Sequence, residues 1–290
     1  MTALALNGAQ ASNTSQVREF PFSEKEFKTL VKLIYERTGI VLKDSKKNMV
    51  YSRLARRLRA LGIKTFRDYL QFLNSKEGPL EVDLLINAIT TNLTHFFREK
   101  HHYKHLYKAC LDITKSQTDR GESRRLRIWS AGCSSGEEPY SIAIVMSELI
   151  AKTGPFDLKI LASDINTKTL QTGMAGEYSN PALEEIPAKF RNRYTQKLSS
   201  SKFKMSEKLR NLITFKKLNL LEDWPMKGPF DVIFCRNVMI YFDQETKTNL
   251  TRNCAKILQP GGWLYIGHSE SLPPSEKNFK LLGHTIYQRP

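Results

Sequence analysis

The residues best suited to chemistry lie in one stretch, residues 127–141, with the sequence RIWSAGCSSGEEPYS. A short apolar segment passes through small residues and Gly136 into an apolar helix predicted over residues 139–151, the strand, turn and helix of a nucleotide-type α/β fold. Glu137 and Glu138 stand at the helix start, where two carboxylates would repel a pyrophosphate. This argues against NAD or ATP and favours a ligand with a cationic end. S-adenosylmethionine (SAM) has an ammonium, a sulfonium and no phosphate, and it fits.

A simpler explanation of this stretch stays open, because small-residue turns are common and acids occur in first helical turns for dipole reasons alone. A second acid bears on the choice. Residues 158–164 predict another buried strand, which ends in Asp164. Such an acid can bind the ribose hydroxyls of a nucleotide, usually roughly 20 residues after the glycine turn, or it can cap the next helix. Asp164 lies somewhat farther along than that, so both roles are considered.

Length and composition exclude several classes of protein. A chain of 290 residues can hold one large domain and a small one, and 40% apolar with 26% charged residues is ordinary for a soluble protein. No apolar run approaches the roughly 18 residues of a membrane span, and the first residues lack a signal-peptide pattern. We therefore expect a cytoplasmic protein without membrane insertion. The four cysteines lie far apart without CxxC spacing, so neither a disulfide framework nor a metal site is predicted.

The net charge of +16 suggests an acidic partner, and most of the excess lies in residues 1–127. A helix predicted over residues 45–61 carries its apolar residues on one face: Val50, Leu54, Leu58 and Leu61. Three arginines fall roughly opposite and are predicted to project outward together: Arg53, Arg56 and Arg59. With no interleaved glutamate, this run is either a solvated face or an acidic docking surface, because guanidinium groups make forked contacts with carboxylates and phosphates.

The chain as a whole divides into three parts. Residues 1–17, uncharged and rich in Ala, Asn, Ser and Thr, predict a disordered tail. Residues 18–90 predict a small helical domain of four helices, the last starting near Glu81 after a Gly-Pro break. Residues 91–290 predict an α/β domain. Within it, residues 178–212 depart from the alternation and predict a small inserted hairpin subdomain.

Six blocks, taken together, resemble the chemotaxis receptor glutamate methyltransferases, the CheR family. The blocks are NLTHFFRE (92–99), SAGCSSGEEPYSIAI (130–144), ASDI (162–165), the pair Asn219-Leu220, FCRNVMIYFD (234–243) and GHSES (267–271). Their order and spacing match from about residue 21 to the C-terminus. The resemblance implies a Rossmann-like SAM-dependent methyltransferase domain with an antiparallel last strand, an N-terminal all-helical domain and a small inserted antiparallel β-subdomain.

The resemblance also implies roles for individual residues. Glu138 would bind the amino group of SAM, Asp164 the ribose hydroxyls, and Asn219 with Leu220 the adenine edge. The implied catalytic residues are Arg98, near the SAM carboxylate and the methyl-transfer site, and Tyr241, beside the methyl group. The full set of implied cofactor-binding residues is Asn92, Thr94, Arg98, Glu138, Asp164, Asn219, Leu220, Arg236 and Asn237.

The function implied is SAM-dependent methylation of specific glutamates of methyl-accepting chemotaxis receptors, which gives glutamate methyl esters and S-adenosylhomocysteine in sensory adaptation. A glutamate with a pKa of about 4.3 is already an anion at neutral pH, so no general base is needed. The arginine run would recognise the receptor's acidic methylation helices. In some family members the insertion also binds a receptor C-terminal pentapeptide, but here the segment between Tyr194 and Phe215 looks shorter and lacks their glycine-containing loop. We expect a monomer with no nucleic-acid partner.

Two other functions stay open on the sequence. A nucleic-acid or protein-amine methyltransferase would share the SAM fold, and Asn237 with Tyr241 faintly resembles amine-methylating motifs, although their Pro-Pro and an aromatic-rich basic groove are missing. The second alternative is a SAM-binding scaffold without turnover. The presence of Arg98, Asp164 and Tyr241 argues against it. His268 is the nearest alternative base, unless it is a strand-end histidine satisfied by backbone.

Overall fold

The computed structural model describes residues 18–290, so the tail expected for residues 1–17 lies outside the described residues. The first part is all-helical and consists of α1 (Glu24–Thr38), α2 (Lys47–Leu61), α3 (Phe66–Leu73) and α4 (Gly78–Ile89). Helix α1 begins at a capping box of Ser23 and Glu26 and ends at Gly39, whose left-handed backbone stops the helix. Helix α4 begins earlier than predicted, because Gly78 and Pro79 lie in its first turn, where proline needs no N–H partner.

The helical part has its own core, which contains one charged group. The predicted apolar face of α2 is buried at Val50, Leu54 and Leu58. Glu81 of α4 is also buried, with a side chain only 3% exposed. Arg57 donates two hydrogen bonds to its carboxylate, at 2.9 Å and 2.6 Å, and the Tyr69 hydroxyl donates a third at 2.8 Å. These bonds join α2, α3 and α4 through a single carboxylate.

The second part alternates strands and helices around a central sheet. Its helices are α5 (Lys100–Asp119), α6 (Glu137–Thr153), α7 (Thr167–Ala175), α8 (Asn180–Leu183), α9 (Ala188–Tyr194), α10 (Glu207–Arg210) and α11 (Gln244–Ile257). Its strands are β1 (Arg125–Ala131), β2 (Asp157–Asp164), β3 (Glu177–Ser179), β4 (Thr195–Lys197), β5 (Lys202–Met205), β6 (Ile213–Lys217), β7 (Phe230–Cys235), β8 (Leu258–Ile266), β9 (Lys280–Gly283) and β10 (Ile286–Gln288). Among residues 18–290, no helix is both long and apolar enough to span a bilayer.

Seven strands form one mixed sheet in the order β6-β2-β1-β7-β8-β10-β9. The first five are parallel to one another. Strand β10 runs antiparallel to them, and the edge strand β9 pairs antiparallel with β10. From β1 the chain moves to β2 on one side, and it later returns to β7 on the other, so the strand order reverses between β1 and β7. Ligands of open α/β sheets bind at the carboxyl ends of strands at such a reversal. The fold thus places the turns after β1 and β7 side by side and confirms the predicted fold class.

The insertion is a small antiparallel sheet in the order β3-β5-β4, with three short helices. It therefore has one strand more than a hairpin. Phe203 of β5 packs against Tyr178, with ring centroids 5.8 Å apart, and against Phe96 of the segment before α5, at 6.2 Å. Its apolar residues belong to the same buried cluster as those of α5 and α6. The insertion is thus anchored to the large domain by shared core contacts.

The three candidate docking arginines of α2 do not project outward together, and the prediction is wrong for Arg53. Its guanidinium donates to the carbonyl oxygens of Ile89, at 2.6 Å, and Thr90, at 3.1 Å, so it caps the C-terminal end of α4. Arg59 is exposed and makes a forked contact with Glu19. Arg56 is exposed, and no side-chain hydrogen bond or ion pair involves it within residues 18–290. Each step of three residues turns a helix by about 60°, so the first and third arginines diverge.

We predict that Glu81→Ala destabilises the protein by about 3 kcal/mol, because it leaves Arg57 and the buried Tyr69 hydroxyl without their partner. Urea denaturation followed by circular dichroism measures this loss. The control is Glu19→Ala, which removes only the exposed pair with Arg59 and is expected to change stability little. Equal stability of the two variants would contradict a structural role for the buried carboxylate.

Candidate active site

A cavity of about 420 Å³ lies at the carboxyl ends of β1, β2, β6 and β7, where the sheet order reverses. The helical part supplies one side of its wall, including Thr38, Ile40 and Met49. The cavity brings together all the residues for which the motifs implied a cofactor-binding or catalytic role: Asn92, Thr94, Arg98, Glu138, Asp164, Asn219, Leu220, Arg236, Asn237 and Tyr241. The candidate docking residues Arg53, Arg56 and Arg59 do not line it.

The turn after β1 is held tightly against the rest of the cavity floor. Gly132 has a positive φ of 76°, and a Cβ atom there would lie 2.4 Å from Val238 Cγ2, so only glycine fits this position. The backbone N–H groups of Gly132 and Cys133 donate to the Ser163 carbonyl at 2.8 Å and 2.9 Å. The turn is therefore fixed to the end of β2 on one side and packed against the segment after β7 on the other.

Asp164 ends β2 and lies in the cavity wall. Its carboxylate accepts hydrogen bonds from the backbone N–H groups of Ser134 and Asn166, both at 2.8 Å. Burial raises the pKa of this carboxyl, although the two N–H groups oppose the shift. The cap of the next helix, α7, is the Asn166 side chain, which accepts from Lys168 and Thr169. Helix capping therefore does not account for Asp164, and its carboxylate keeps acceptor capacity toward the cavity.

The two acids at the start of α6 have different surroundings. Glu138 lines the cavity, whereas Glu137 does not and instead accepts a hydrogen bond from the Ser135 hydroxyl at 2.7 Å. Glu138 accepts from the Ser130 hydroxyl at 2.7 Å and from Arg236 at 3.2 Å. Burial raises the pKa of Glu138, and Arg236 opposes that rise. The expectation that two carboxylates face the ligand is thus wrong for Glu137, since neighbouring helical positions point about 100° apart.

Arg236 follows β7 and is 4% exposed. Besides Glu138, its guanidinium contacts Glu99 at 3.3 Å, the Tyr103 hydroxyl at 3.3 Å and the Arg98 carbonyl oxygen. Burial alone would lower its pKa, but Tyr103, Glu138 and Glu99 outweigh burial and raise the pKa of Arg236. The arginine is therefore a fixed positive charge between two largely buried acids, Glu138 and Glu99.

Glu99 is a site residue that the sequence reasoning missed. It adopts a left-handed backbone (φ 58°), and its carboxylate contacts Arg236 and accepts hydrogen bonds from the backbone N–H and ring of His268, both at 3.1 Å. Burial would raise the pKa of Glu99, but Arg236 and His268 reverse the shift and lower it. The only available signal was its place directly after Arg98 in the motif NLTHFFRE.

His268 differs from both of its predicted roles. The ring pairs with the Glu99 carboxylate rather than with backbone, and it lies exposed, outside the cavity wall. It therefore has no contact with the space where a substrate would react.

The helical part is fixed to the cavity by bonds that reach the predicted site residues. The backbone N–H of Val41 donates to the Tyr241 carbonyl at 2.9 Å. The Asn219 side-chain amide donates to the Arg37 carbonyl at 2.8 Å. Arg98 donates to the Leu93 carbonyl at 3.0 Å, which folds the connecting segment back on itself. The cavity is therefore enclosed from two sides.

The sheet has one antiparallel strand, β10, near its edge, and the cavity holds a largely buried acid, Glu138, beside the buried Arg236. Combined with the family matches, these features define a SAM-dependent methyltransferase. The model described as "CheR methyltransferase, all-alpha domain" matches residues 25–90, and "CheR methyltransferase, SAM binding domain" matches residues 92–288. The chain belongs to the CheR methyltransferase family, which confirms the resemblance found in its motifs.

Named relatives agree with this assignment. The chain is 42% identical to "Chemotaxis protein methyltransferase 2" of Pseudomonas aeruginosa, over 93% of this chain and 95% of the relative. It is 41% identical to "Chemotaxis protein methyltransferase" of Escherichia coli, over 91% of each. It is 38% identical to "Chemotaxis protein methyltransferase" of Salmonella typhimurium, over 99% of this chain and 98% of the relative. The protein is therefore a SAM-dependent chemotaxis methyltransferase.

The residues of the cavity fit SAM. Its amino-acid end carries an ammonium and a carboxylate, and the cavity offers an acid, Glu138, together with the guanidinium groups of Arg98 and Arg236. Asp164 supplies a carboxylate at the end of the second strand, the position from which an acid reaches ribose hydroxyls in this type of fold. The opposite charges of the wall match the opposite charges of the cofactor.

We predict that Arg236→Met lowers the free energy of unfolding by about 3 kcal/mol, because it leaves the largely buried carboxylates of Glu138 and Glu99 without their cation. Adding Glu138→Gln is expected to recover part of that loss, since one of the two charges is then neutral. Urea denaturation measures stability, and titration calorimetry with S-adenosylhomocysteine shows whether both variants bind more weakly. Wild-type stability in the single variant would refute the importance of the ion pairs.

Proposed function

We propose that this protein transfers the methyl group of SAM to specific glutamate side chains of methyl-accepting chemotaxis receptors in the cytoplasm, forming glutamate methyl esters. One observation carries the choice of a carboxylate substrate. The cavity wall includes four cationic side chains: Lys43, Lys46, Arg98 and Arg236. Two of them, Lys43 and Lys46, are exposed to solvent. The acids in the wall, Glu138 and Asp164, are deeply placed and already hydrogen-bonded. Such a wall attracts a carboxylate and repels a protonated amine.

A carboxylate substrate also removes the need for a base. Glutamate is ionised near neutral pH, so its oxygen can attack without losing a proton. When bound, SAM supplies a methyl group on a positively charged sulfur: the carbon–sulfur bond breaks, its electron pair stays on sulfur, and a carbon–oxygen bond forms at the glutamate. The residues of the chain need only align the oxygen with the methyl carbon and exclude water.

Each residue that the motifs implied has a place in this proposal. Arg98 and Tyr241 orient the incoming carboxylate, and too close a pairing with Arg98 would weaken the nucleophile. Glu138 binds the ammonium of SAM, and Asp164 binds the ribose hydroxyls. The remaining cofactor contacts come from Asn92, Thr94, Asn219, Leu220, Arg236 and Asn237. The apolar residues of the helical part cover the reacting atoms from solvent.

The receptor would be recognised by the helical part. Arg56 and Arg59 remain exposed on α2. Arg56 can contact the acidic methylation helices of a receptor directly, and Arg59 can do so by exchanging its surface pair with Glu19 for a receptor carboxylate. Arg53, which holds the end of α4, contributes by fixing the base of this surface rather than by projecting from it. The docking surface we propose therefore consists mainly of Arg56 and Arg59.

The test of the reaction is a methylation assay with tritiated SAM and receptor-containing membranes. We expect label on the receptor that alkali releases as methanol, because an ester hydrolyses under conditions that leave a methylated amine intact. Label that survives alkali would show amine methylation and refute the proposed substrate. Absence of labelled receptor and of S-adenosylhomocysteine would point to a binding scaffold.

The test of the docking surface is the double reversal Arg56→Glu with Arg59→Glu. We expect the KM for receptor to rise about tenfold or more while the affinity for SAM stays unchanged, because the acidic side chains of the receptor are then repelled but the cavity is untouched. The matched control, Lys64→Glu with Lys76→Glu, changes the net charge equally at other exposed positions of the helical part. If SAM binding collapses in the first variant, or if the control behaves alike, this surface is not the receptor site.

A further inference from the structure

We propose that Glu270 is a positioning residue for the segment Asn237–Tyr241, which carries part of the cavity wall. This inference deepens the proposed function and rests on it, since it assigns Glu270 an effect on methyl transfer through Tyr241. Glu270 lies just after β8, in the motif GHSES, and does not line the cavity itself. Any effect on the reaction therefore passes through other residues.

The surroundings of the Glu270 carboxylate indicate this role. The residue is 8% exposed, and within residues 18–290 no lysine, arginine or histidine pairs with it. A buried carboxylate is costly unless hydrogen bonds compensate it. Three backbone N–H groups do so: that of Gly267 at 2.6 Å, that of Asn237 at 2.8 Å and that of Ile240 at 3.1 Å. Two of these donors belong to the segment that carries Asn237 and Tyr241.

The conformational preference of the segment does not by itself fix its position. Asn237 has a positive φ of 60°, a left-handed conformation that asparagine tolerates better than most residues but that is still uncommon outside glycine. The next residues form a short 3₁₀ turn, Met239–Tyr241. Because the Asn237 and Ile240 N–H groups point at one carboxylate, the left-handed residue and the start of the turn are fixed together. Loss of that acceptor would leave buried donors unpaired, and the segment would move to satisfy them.

Close packing at Gly267 makes the arrangement specific. A Cβ atom at this position would lie 2.4 Å from the Asn237 side-chain nitrogen, 2.8 Å from the Glu270 carboxylate and 2.9 Å from the Asn237 backbone nitrogen. The glycine lets the segment approach the end of β8 closely enough for the carboxylate to bridge them. At its other end, the segment is held by the bond from Val41 to the Tyr241 carbonyl. Glu270 therefore supplies the fixed point at the start of the segment.

The experiment compares Glu270→Gln with Glu276→Gln, a neighbouring glutamate whose carboxylate, among residues 18–290, bonds only Asn278. Hydrogen–deuterium exchange is the first readout. In the Glu270 variant we expect loss of protection in peptides covering residues 236–242, with the rest of the large domain unchanged, because an amide cannot accept all three N–H bonds. Unchanged protection in this segment would overturn the proposal, whether or not the protein methylates receptors.

Turnover is the second readout. At saturating SAM we expect kcat for receptor methylation to fall about tenfold to a hundredfold in Glu270→Gln, the order of loss that misplaced reacting groups cause. In a Tyr241→Phe background the same substitution should lower kcat much less. In the Arg56→Glu background, where the expected effect is on KM, the full loss of kcat should remain. Full multiplication with Tyr241→Phe would show a general structural effect and refute positioning through Tyr241.

A second variant covers the case in which Glu270→Gln does not fold. Gly267→Ala keeps the carboxylate but inserts a methyl group between it and Asn237, so it should shift the same segment and give the same exchange and turnover results. Wild-type behaviour of Gly267→Ala would contradict the proposal. Wild-type protein that forms no methyl ester would refute the proposed function instead, and the exchange data would still decide whether Glu270 holds the segment.

Discussion

The buried guanidinium of Arg236, placed between two acids, is the interaction on which the cofactor cavity depends. It contacts Glu138 at the start of α6 and Glu99 at the start of α5, both at distances near 3.3 Å, so three separate segments meet at one charge. A buried charge is tolerated only with such partners, and removal of one partner leaves the others uncompensated. The same electrostatic requirement therefore fixes the wall of the cavity and supplies the opposite charges that SAM needs.

The site residues were implied by the resemblance of the motifs to a known family, and the topology of the sheet explains why these residues meet. Residues that follow parallel strands must meet at one edge of the sheet, so motifs at the ends of β1, β2, β6 and β7 could be grouped without coordinates. Long periodic segments such as α1 and α2 were similarly reliable, and the apolar face of α2 is buried at Val50, Leu54 and Leu58. The sequence pattern was enough to predict a residue's position where its neighbours in space follow from strand order or from the period of a helix.

The predictions that failed concern contacts between segments distant in sequence. The helical wheel could not show that the end of α4 would reach Arg53, nor that Glu19 would pair with Arg59. It also could not show which of two adjacent acids would face the cavity. Glu99 and Glu270 were overlooked because the partners of their carboxylates lie on distant segments. Glu99 contacts Arg236, and Glu270 accepts hydrogen bonds from the backbone N–H groups of Asn237 and Ile240.

The enclosure of the cavity by both parts of the chain has a thermodynamic consequence. Bonds such as those from Tyr35 to Asp243 and from Lys217 to Asp83 already join the parts, and a ligand between them adds contacts with each. Linkage makes this effect reciprocal: if contact between the two parts of the chain increases the affinity for SAM, bound SAM stabilises that contact by the same free energy. The contact between the helical part and the α/β domain is thus more rigid with SAM bound than without it. Each binding of SAM therefore also fixes the orientation of the helices that would face a receptor.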